Sequence, residues 1–450
     1  MAFTILEAGQ KQKTTLDSAI DKAGEQLGHL SPADRSLCNA IVFGVLRHRG
    51  YLDHLIRAFS RIRADRLDSQ VETILRIGLF QLVFLDRVPD FAAINTSVEL
   101  VKKLPGKQAK TRGFINAVLR QAAGRYKGID LPDKKKQFPA FLQAAYSIPG
   151  WLGKRWAGRY GRKSAEAISR AILEIPPITL RVNTMKTSPE TLSKALNDTG
   201  IDTRATEFSA LGLHISSPGK SPAELPGFDS GHFQVQDEAA QLVVQVLAPR
   251  PGEQVLDACA GLGGKTCHIG QLMENAGRIT AVDVEPGKLD RLKAEADRMG
   301  LTNIRTMALD IMRCTVKDFN GYFDRVLVDA PCTGLGVMRR NPDTRWKRTK
   351  HDITRMAAQQ KKILNAAASL VAPGGILVYA VCSCEPEENE DVIRNFLSKR
   401  KDYEEDICGF KRNIPGLLPN PESGYRFKTY PDHIQMDGFF TARLRRKKTP

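Results

Sequence analysis

The sequence predicts an α/β fold in its second half, a mostly parallel sheet with crossover helices, preceded by an all-α domain and a small α/β module. Three observations carry that prediction. From about residue 236 onward, apolar runs of strand length at 254–257, 279–284, 304–309, 323–328 and 375–380 alternate with segments of helical periodicity, as parallel strands joined by crossovers require. Residues 1–128 instead repeat apolar positions at helical spacing, as in Leu37, Cys38, Ile41, Val42 and Val45, or Phe114, Ile115, Val118 and Leu119. Between these regions, 129–139 is charged and broken by proline, the composition of a linker.

Composition bounds the function. At 450 residues and 42% hydrophobic content the chain can bury two or three cores. Lys plus Arg number 67 against 50 Asp plus Glu, a net charge of +17 that favours a polyanionic partner, nucleic acid first. No apolar run approaches the roughly 18 residues of a membrane span, and the N-terminus lacks the basic start and apolar core of an export signal. The eight cysteines are unevenly spaced, unlike a disulfide framework. A cytoplasmic protein with reduced thiols is expected and, with no heptad pattern visible, a monomer.

Taken in order, the helical domain 1–128 carries basic residues in two places, Arg47, His48 and Arg49 in one, and Lys102, Lys103, Lys107, Lys110, Arg112 and Arg120 in the other. Both are expected to face RNA. The module 140–235 reads as a helix over 151–173, a strand over 178–182, a helix begun at Ser188 and Pro189, and short strands to about 235. Arg181 and Asn183 flank Val182 and share one face of that strand, where they either bind phosphate or cap a neighbouring loop.

In the domain 236–450 the run VLDACAGLGGKT, 255–266, is a strand and a glycine-rich turn opening a helix. Gly261, Gly263 and Gly264 allow close backbone approach to a ligand, and the helix start offers free amides. Cys259, Ala260 and Lys265 complete that loop. Asp283 ends the next strand, where an acid can accept both ribose hydroxyls, and Asp310 ends the third, placed for an adenine amino group. The loop is not GxGxxG, so S-adenosylmethionine fits better than a dinucleotide. The plainer alternative is that these acids only cap helices.

Two further strand ends carry reactive groups. VLVDAPCTG, 326–334, delivers Asp329 and Cys332, and YAVCSCEPEENE, 379–390, delivers Cys382. Pyrimidine C5 is a poor nucleophile, so a thiolate must first add to C6. A second ionisable group must later take the C5 proton so that the adduct can break. Asp329, beside the methyl donor, is placed to hydrogen-bond the base edge. Spacing alone leaves open which cysteine attacks. The loop Arg339, Arg340, Asn341 is expected to grip RNA phosphate, together with Lys265 and Arg181. Cys382 and Cys384 have no CxxC or clustered His beside them, so no metal is expected.

These motifs together resemble the Sun/RsmB group of bacterial 16S ribosomal RNA cytosine-5 methyltransferases. The matching stretches are 257–268 (DACAGLGGKTCH), 329–336 (DAPCTGLG), 339–346 (RRNPDTRW), 372–383 (APGGILVYAVCS), 386–390 (PEENE) and 437–440 (DGFF). The resemblance covers essentially the whole chain. It implies a NusB-like RNA-binding domain, an RRM-like module and a class I, Rossmann-like methyltransferase domain that uses S-adenosylmethionine. Carried over by position, the nucleophile falls on Cys382 and the product-release cysteine on Cys332. Val381 stands where the family has threonine, Cys384 where an aliphatic residue is usual, and Gly261–Leu262 where Ala-Pro is common. By strand alternation Cys384 is expected on the same side as Cys382. The same chemistry on tRNA or 23S rRNA, and a non-catalytic RNA-binding assembly factor, are the alternatives.

Overall fold

The computed structural model describes residues 1–10, 14–60, 67–104, 109–216, 220–406, 409, 426–431 and 436–448, so Lys107 and Cys408 lie outside it. The chain forms two compact units, Met1–Ile175 with Met338–Lys350, and Pro176–Val337 with His351–Pro450.

The first unit is helical, as its periodicity predicts. Its long helix Pro32–Ser60 buries Cys38, Ile41, Val42 and Val45, and Ser69–Phe84 supplies a core centred on Ile74, Leu75 and Leu79. Asp68 caps the second of these, its carboxylate accepting from the Gln70 amide at 3.0 Å. The helices Phe138–Tyr146 and Gly150–Leu173 fall within this compact unit. The reason is a close approach at Gly50, where a Cβ would collide with the Gln143 carbonyl and where the Gly50 amide donates to Ser147 Oγ at 3.1 Å.

The cluster Arg47, His48 and Arg49 is a correction to the expected RNA face. Arg47 is buried and donates to the Glu174 carbonyl at 2.8 Å. His48 stacks on Phe84 with ring centroids 4.1 Å apart, and Arg49 lies over the Trp346 ring at 5.1 Å. Burial, reinforced by Arg339, draws Arg47 down to about 10, and burial with Arg47 and Arg345 nearby draws His48 down to about 4.

The segment Met338–Lys350 joins the same unit. Arg345 is 0% exposed and donates to the carbonyls of Met338 (2.9 Å), Ile172 (3.4 Å) and Ser147 (3.5 Å). Trp346 Nε1 donates to the Leu46 carbonyl at 2.8 Å, and Lys347 to the Thr14 carbonyl at 2.7 Å and to Asp343 at 2.8 Å. Ser147 and Ile172 lie at helix ends, where carbonyls lack intrahelical partners, so these cations satisfy acceptors that the fold would otherwise orphan.

The second unit holds two sheets. Strands β1 (Ile178–Val182), β2 (Thr203–Ala205), β3 (Gly212–Ile215) and β4 (Phe233–Val235) form an antiparallel sheet in the order β2-β3-β1-β4. The helix Pro189–Asn197, capped by Ser188, packs Leu192 and Leu196 onto Leu180, Val182 and Phe233.

The larger sheet comprises β5 (Gln254–Asp257), β6 (Arg278–Asp283), β7 (Ile304–Ala308), β8 (Phe323–Asp329), β9 (Val371–Val381), β10 (Tyr403–Glu405), β11 (Arg426–Lys428) and β12 (Phe440–Arg446). Its order is β10-β12-β9-β8-β5-β6-β7, with β11 pairing β12; β5 to β9 run parallel to their neighbours, and β12 is antiparallel to β9. Alternation sorts each strand between two cores. Val326, Val328, Tyr379 and Val381 face the helices Lys350–Ala368 and Glu390–Lys399, whereas Leu327, Val378 and Ala380 face Glu238–Leu247. Chain order turns in opposite directions on either side of β5 and β8, which places a ligand crevice at their carboxyl ends.

Candidate active site at the strand ends

Across the sheet, neighbouring strands end at β9 beside Cys382, β8 at Asp329, β5 at Asp257, β6 at Asp283 and β7 just before Asp310. The register pairs Asp329 with Ala380, so the residues that follow each strand meet. Cys332 Sγ and Cys382 Sγ lie 3.1 Å apart, both half-buried. The hydrogen bond to Cys382, then burial, pushes the Cys332 thiol well up.

Lys265, from the helix Gly264–Leu272, donates to Asp329 Oδ2 at 2.6 Å and sits 5.3 Å over the Phe439 ring. Burial alone would depress its ammonium, but Asp329 outweighs that and the net displacement is upward, so the pair stays ionic. Gly263, at φ 85°, starts the helix; a Cβ there would strike Leu292.

A cavity of about 300 Å³ lies beyond β6 and β7, lined among others by Cys259, Asp283, Asp310 and Ile363. The Asp283 oxygens each take one backbone amide, from Gly261 at 3.0 Å and Glu285 at 2.9 Å, and Asp310 accepts from the Met312 amide at 3.0 Å. Capping and ligand binding are therefore compatible roles here, since a carboxylate oxygen has more than one acceptor site. Ala260 is buried, its amide held by the Val282 carbonyl at 2.9 Å. Ala260, Gly261, Gly263, Gly264, Lys265 and Asp329 are not among the residues lining this cavity.

Of the two roles left open for Arg181 and Asn183 the structure shows the bracing one, and two further expectations change. Arg181 is 0% exposed and spends its guanidinium on Gln234 (2.7 Å), Gln236, Gln271 (3.3 Å) and the Gly264 carbonyl (2.8 Å), so it braces the glycine loop and offers nothing to a phosphate. Asn183 is equally buried, donating to the carbonyls of Gly231 (2.9 Å) and Met299 (3.0 Å). Arg339 is buried in the helical unit, while Arg340 and Asn341 are half-buried. Finally, β9 ends at Val381, so strand alternation does not reach Cys384, which is buried against Gly438 with Sγ on the Thr429 carbonyl at 3.5 Å.

Two residues of the site escaped the sequence reading. Asp257 is buried with Oδ2 on Thr266 Oγ1 at 2.7 Å and Oδ1 without a partner, and burial raises it to about 6. Glu388, inside PEENE, accepts from the residues that follow both cysteines. Among the described residues no group of His, Cys, Asp and Glu is gathered to hold a metal ion.

Known proteins share this organisation. Residues 1–124 match the NusB family, 148–221 a ferredoxin-like domain of RsmF/B-like methyltransferases, and 244–445 the 16S rRNA methyltransferase RsmB/F model. The chain is 35% identical to a probable ribosomal RNA small subunit methyltransferase B of Synechocystis sp., covering 99% of this chain and 98% of that protein. A namesake in Bacillus subtilis is 34% identical over 99% and 97% of the two chains. The crystal structure of PH0851 superposes with a TM-score of 0.81 at 27% identity, over 98% of this chain and 97% of that one. A methyltransferase homolog protein from Pyrococcus horikoshii, 30% identical, covers 68% of this chain and 97% of its own at a TM-score of 0.58. The chain belongs to the RsmB/F family of 16S rRNA methyltransferases.

Proposed function

We propose that the protein methylates C5 of a cytosine in 16S rRNA, in the cytoplasm, with S-adenosylmethionine as methyl donor. The observation that carries this reading is the pair of sulfurs 3.1 Å apart at the ends of adjacent parallel strands, beside an ionic Lys265–Asp329 pair. The cavity beyond β6 and β7 fits the nucleoside part of the donor: two carboxylates, each with acceptor capacity to spare, face a partly apolar space lined by Ile311, Met312 and Ile363. Asp283 would hold the ribose hydroxyls, Asp310 the adenine edge, and the glycine loop the amino-acid end. When bound, S-adenosylmethionine supplies an electrophilic methyl group.

The chain's own residues do the rest. The Cys382 thiolate adds to C6, moving the C5–C6 π electrons into the ring, where N3 gains a proton or hydrogen bond. Lys265 presents a donor to the ring edge where that charge develops, and the Asp329 carboxylate an acceptor for an N–H of the protonated ring. Once C5 carries the methyl group, Cys332 acting as thiolate takes the C5 proton and becomes the thiol, the C5–C6 double bond re-forms, and Cys382 leaves as thiolate.

The net charge of +17 supports a ribosomal RNA partner, free or in an assembly intermediate. The test is a denaturing gel of Cys332→Ala incubated with small-subunit RNA and S-adenosylmethionine. A protein–RNA adduct that resists denaturation is expected. Normal turnover without adduct overturns the assignment of roles, and adduct with tRNA or 23S rRNA alone moves the chemistry to that substrate.

A further inference from the structure

We propose that Glu388 is the positioning residue that sets the spacing of the two cysteines, acting as a clasp between the loops that carry them. The proposal rests on the two-cysteine reading above and deepens it.

Glu388 is 0% exposed and its carboxylate gathers four donors. Oε1 accepts from the Thr333 amide at 2.8 Å and Gln360 Nε2 at 3.0 Å; Oε2 accepts from Thr333 Oγ1 and Ser383 Oγ, each at 2.5 Å. Thr333 follows Cys332 and Ser383 follows Cys382, so one side chain spans both loops one residue away from each sulfur. The clasp is itself fixed. Tyr379 Oη donates to the Glu388 carbonyl at 2.6 Å, and Asn389 Nδ2 to the Ser383 carbonyl at 3.1 Å. Gln360 Nε2 also holds the Pro331 carbonyl at 2.9 Å, tying the same loop to the helix Lys350–Ala368. On the other side, the Gly336 amide donates to the Cys382 carbonyl at 3.0 Å.

A buried carboxylate is costly unless its lone pairs are taken, and here all four donors come from the two loops and the helix behind them. An apolar residue would fill the space at lower desolvation cost but would deprive Thr333, Ser383 and Gln360 of their shared acceptor and leave the loops free to drift. Reactions that need atoms about 3 Å apart lose roughly a hundredfold for a displacement of about 1 Å. The chemistry of the four donors also predicts which variant works. Glutamine in place of Glu388 keeps Oε1 toward the Thr333 amide and Gln360, and turns Nε2 to the two hydroxyls, which accept as readily as they donate.

The test bridges Cys332 and Cys382 in the full chain with dibromobimane, a short reagent that links two neighbouring thiols, and needs neither RNA nor methyl donor. Its outcome is thereby separate from that of the methylation reading. Glu388→Gln should bridge within about twofold of wild type and Glu388→Ala about tenfold more slowly. In rRNA methylation Glu388→Ala should lower kcat about tenfold with KM for RNA little changed, and Glu388→Gln should restore it. A folded Glu388→Ala protein that bridges at the wild-type rate, or a Glu388→Gln protein as slow as the alanine variant, overturns the proposal. If Glu388→Ala does not fold, Ser383→Ala and Thr333→Val decide: slowed bridging in both supports the clasp, and wild-type rates in both overturn it.

Discussion

The loop 329–336 and the segment Met338–Lys350 follow one another in the chain, and each carries charged or reactive residues, yet they spend them differently. In the loop, Asp329 and Cys332 remain half-buried, held by neighbours but not consumed by them. In the segment, Arg345, Trp346 and Lys347 donate to backbone carbonyls of the helical unit. The difference teaches how a functional group is recognised: by polar capacity left over after the fold has taken its share. A guanidinium with five donors is the group best able to satisfy several orphan carbonyls at once, so an arginine-rich motif is as well suited to locking a fold as to gripping phosphate.

The largest expected effect lies in the chemistry of Cys382 and of the loop's Cys332, which face each other. Cys382→Ala should lower methyl transfer by more than about a thousandfold, while Cys332→Ala should trap the enzyme on RNA, which a labelled-methyl assay and a denaturing gel separate. If both variants turned over alike, the contrast between a reactive loop and a structural segment would lose its first half.

The second half is tested by Arg345→Met, expected to cost the helical unit about 3 kcal/mol because three carbonyls lose their donor. Urea unfolding of the full chain reads this directly. Unchanged stability would mean that the segment is not anchored through this residue.

Acidification should separate the two units further. His48 is held down to about 4, so its contribution is whole above about 6.5 and is lost as the pH falls through 4. Asp257 is raised to about 6, so its contribution is whole below about 3.8 and is lost as the pH rises through 6. Each swing amounts to roughly 3 kcal/mol at most, with opposite sign. His48→Gln should flatten the first and Asp257→Asn the second in unfolding measured from pH 4 to 7. A shared sign would contradict the burial of one of them.

The smallest effect should come from Arg313→Ala. This side chain is 87% exposed and 3.7 Å from Asp310, and its loss should change stability by less than about 0.5 kcal/mol. A larger loss in thermal unfolding would show that exposed cations in this chain do more than solvate a face.

Much of the second unit was legible because apolar runs of strand length have few other uses, and the order of strand ends follows from a parallel sheet with crossovers. Asp283, Asp310, Asp329, Cys332 and Cys382 each sit at such an end, so their positions followed from the fold. Arg181, Arg339 and Arg47 did not, because periodicity says which face a side chain takes but not whether another element covers that face. Glu388 was invisible for a related reason. In PEENE it stands between Glu387 and Glu390, with Glu385 just before, and only the meeting of two loops distant in sequence distinguishes it. The placement of 138–173 with the helices likewise depends on a contact at Gly50 that no local pattern announces.

The central claim is the base and the atom that receive the methyl group. Purified protein, labelled S-adenosylmethionine and small-subunit rRNA, free or in assembly particles, followed by nucleoside analysis and mapping, test it directly. Label in 5-methylcytidine at a defined position of 16S rRNA is the predicted result. Label in any other nucleoside would contradict the two-cysteine mechanism, since no other product requires addition at C6 of a cytosine.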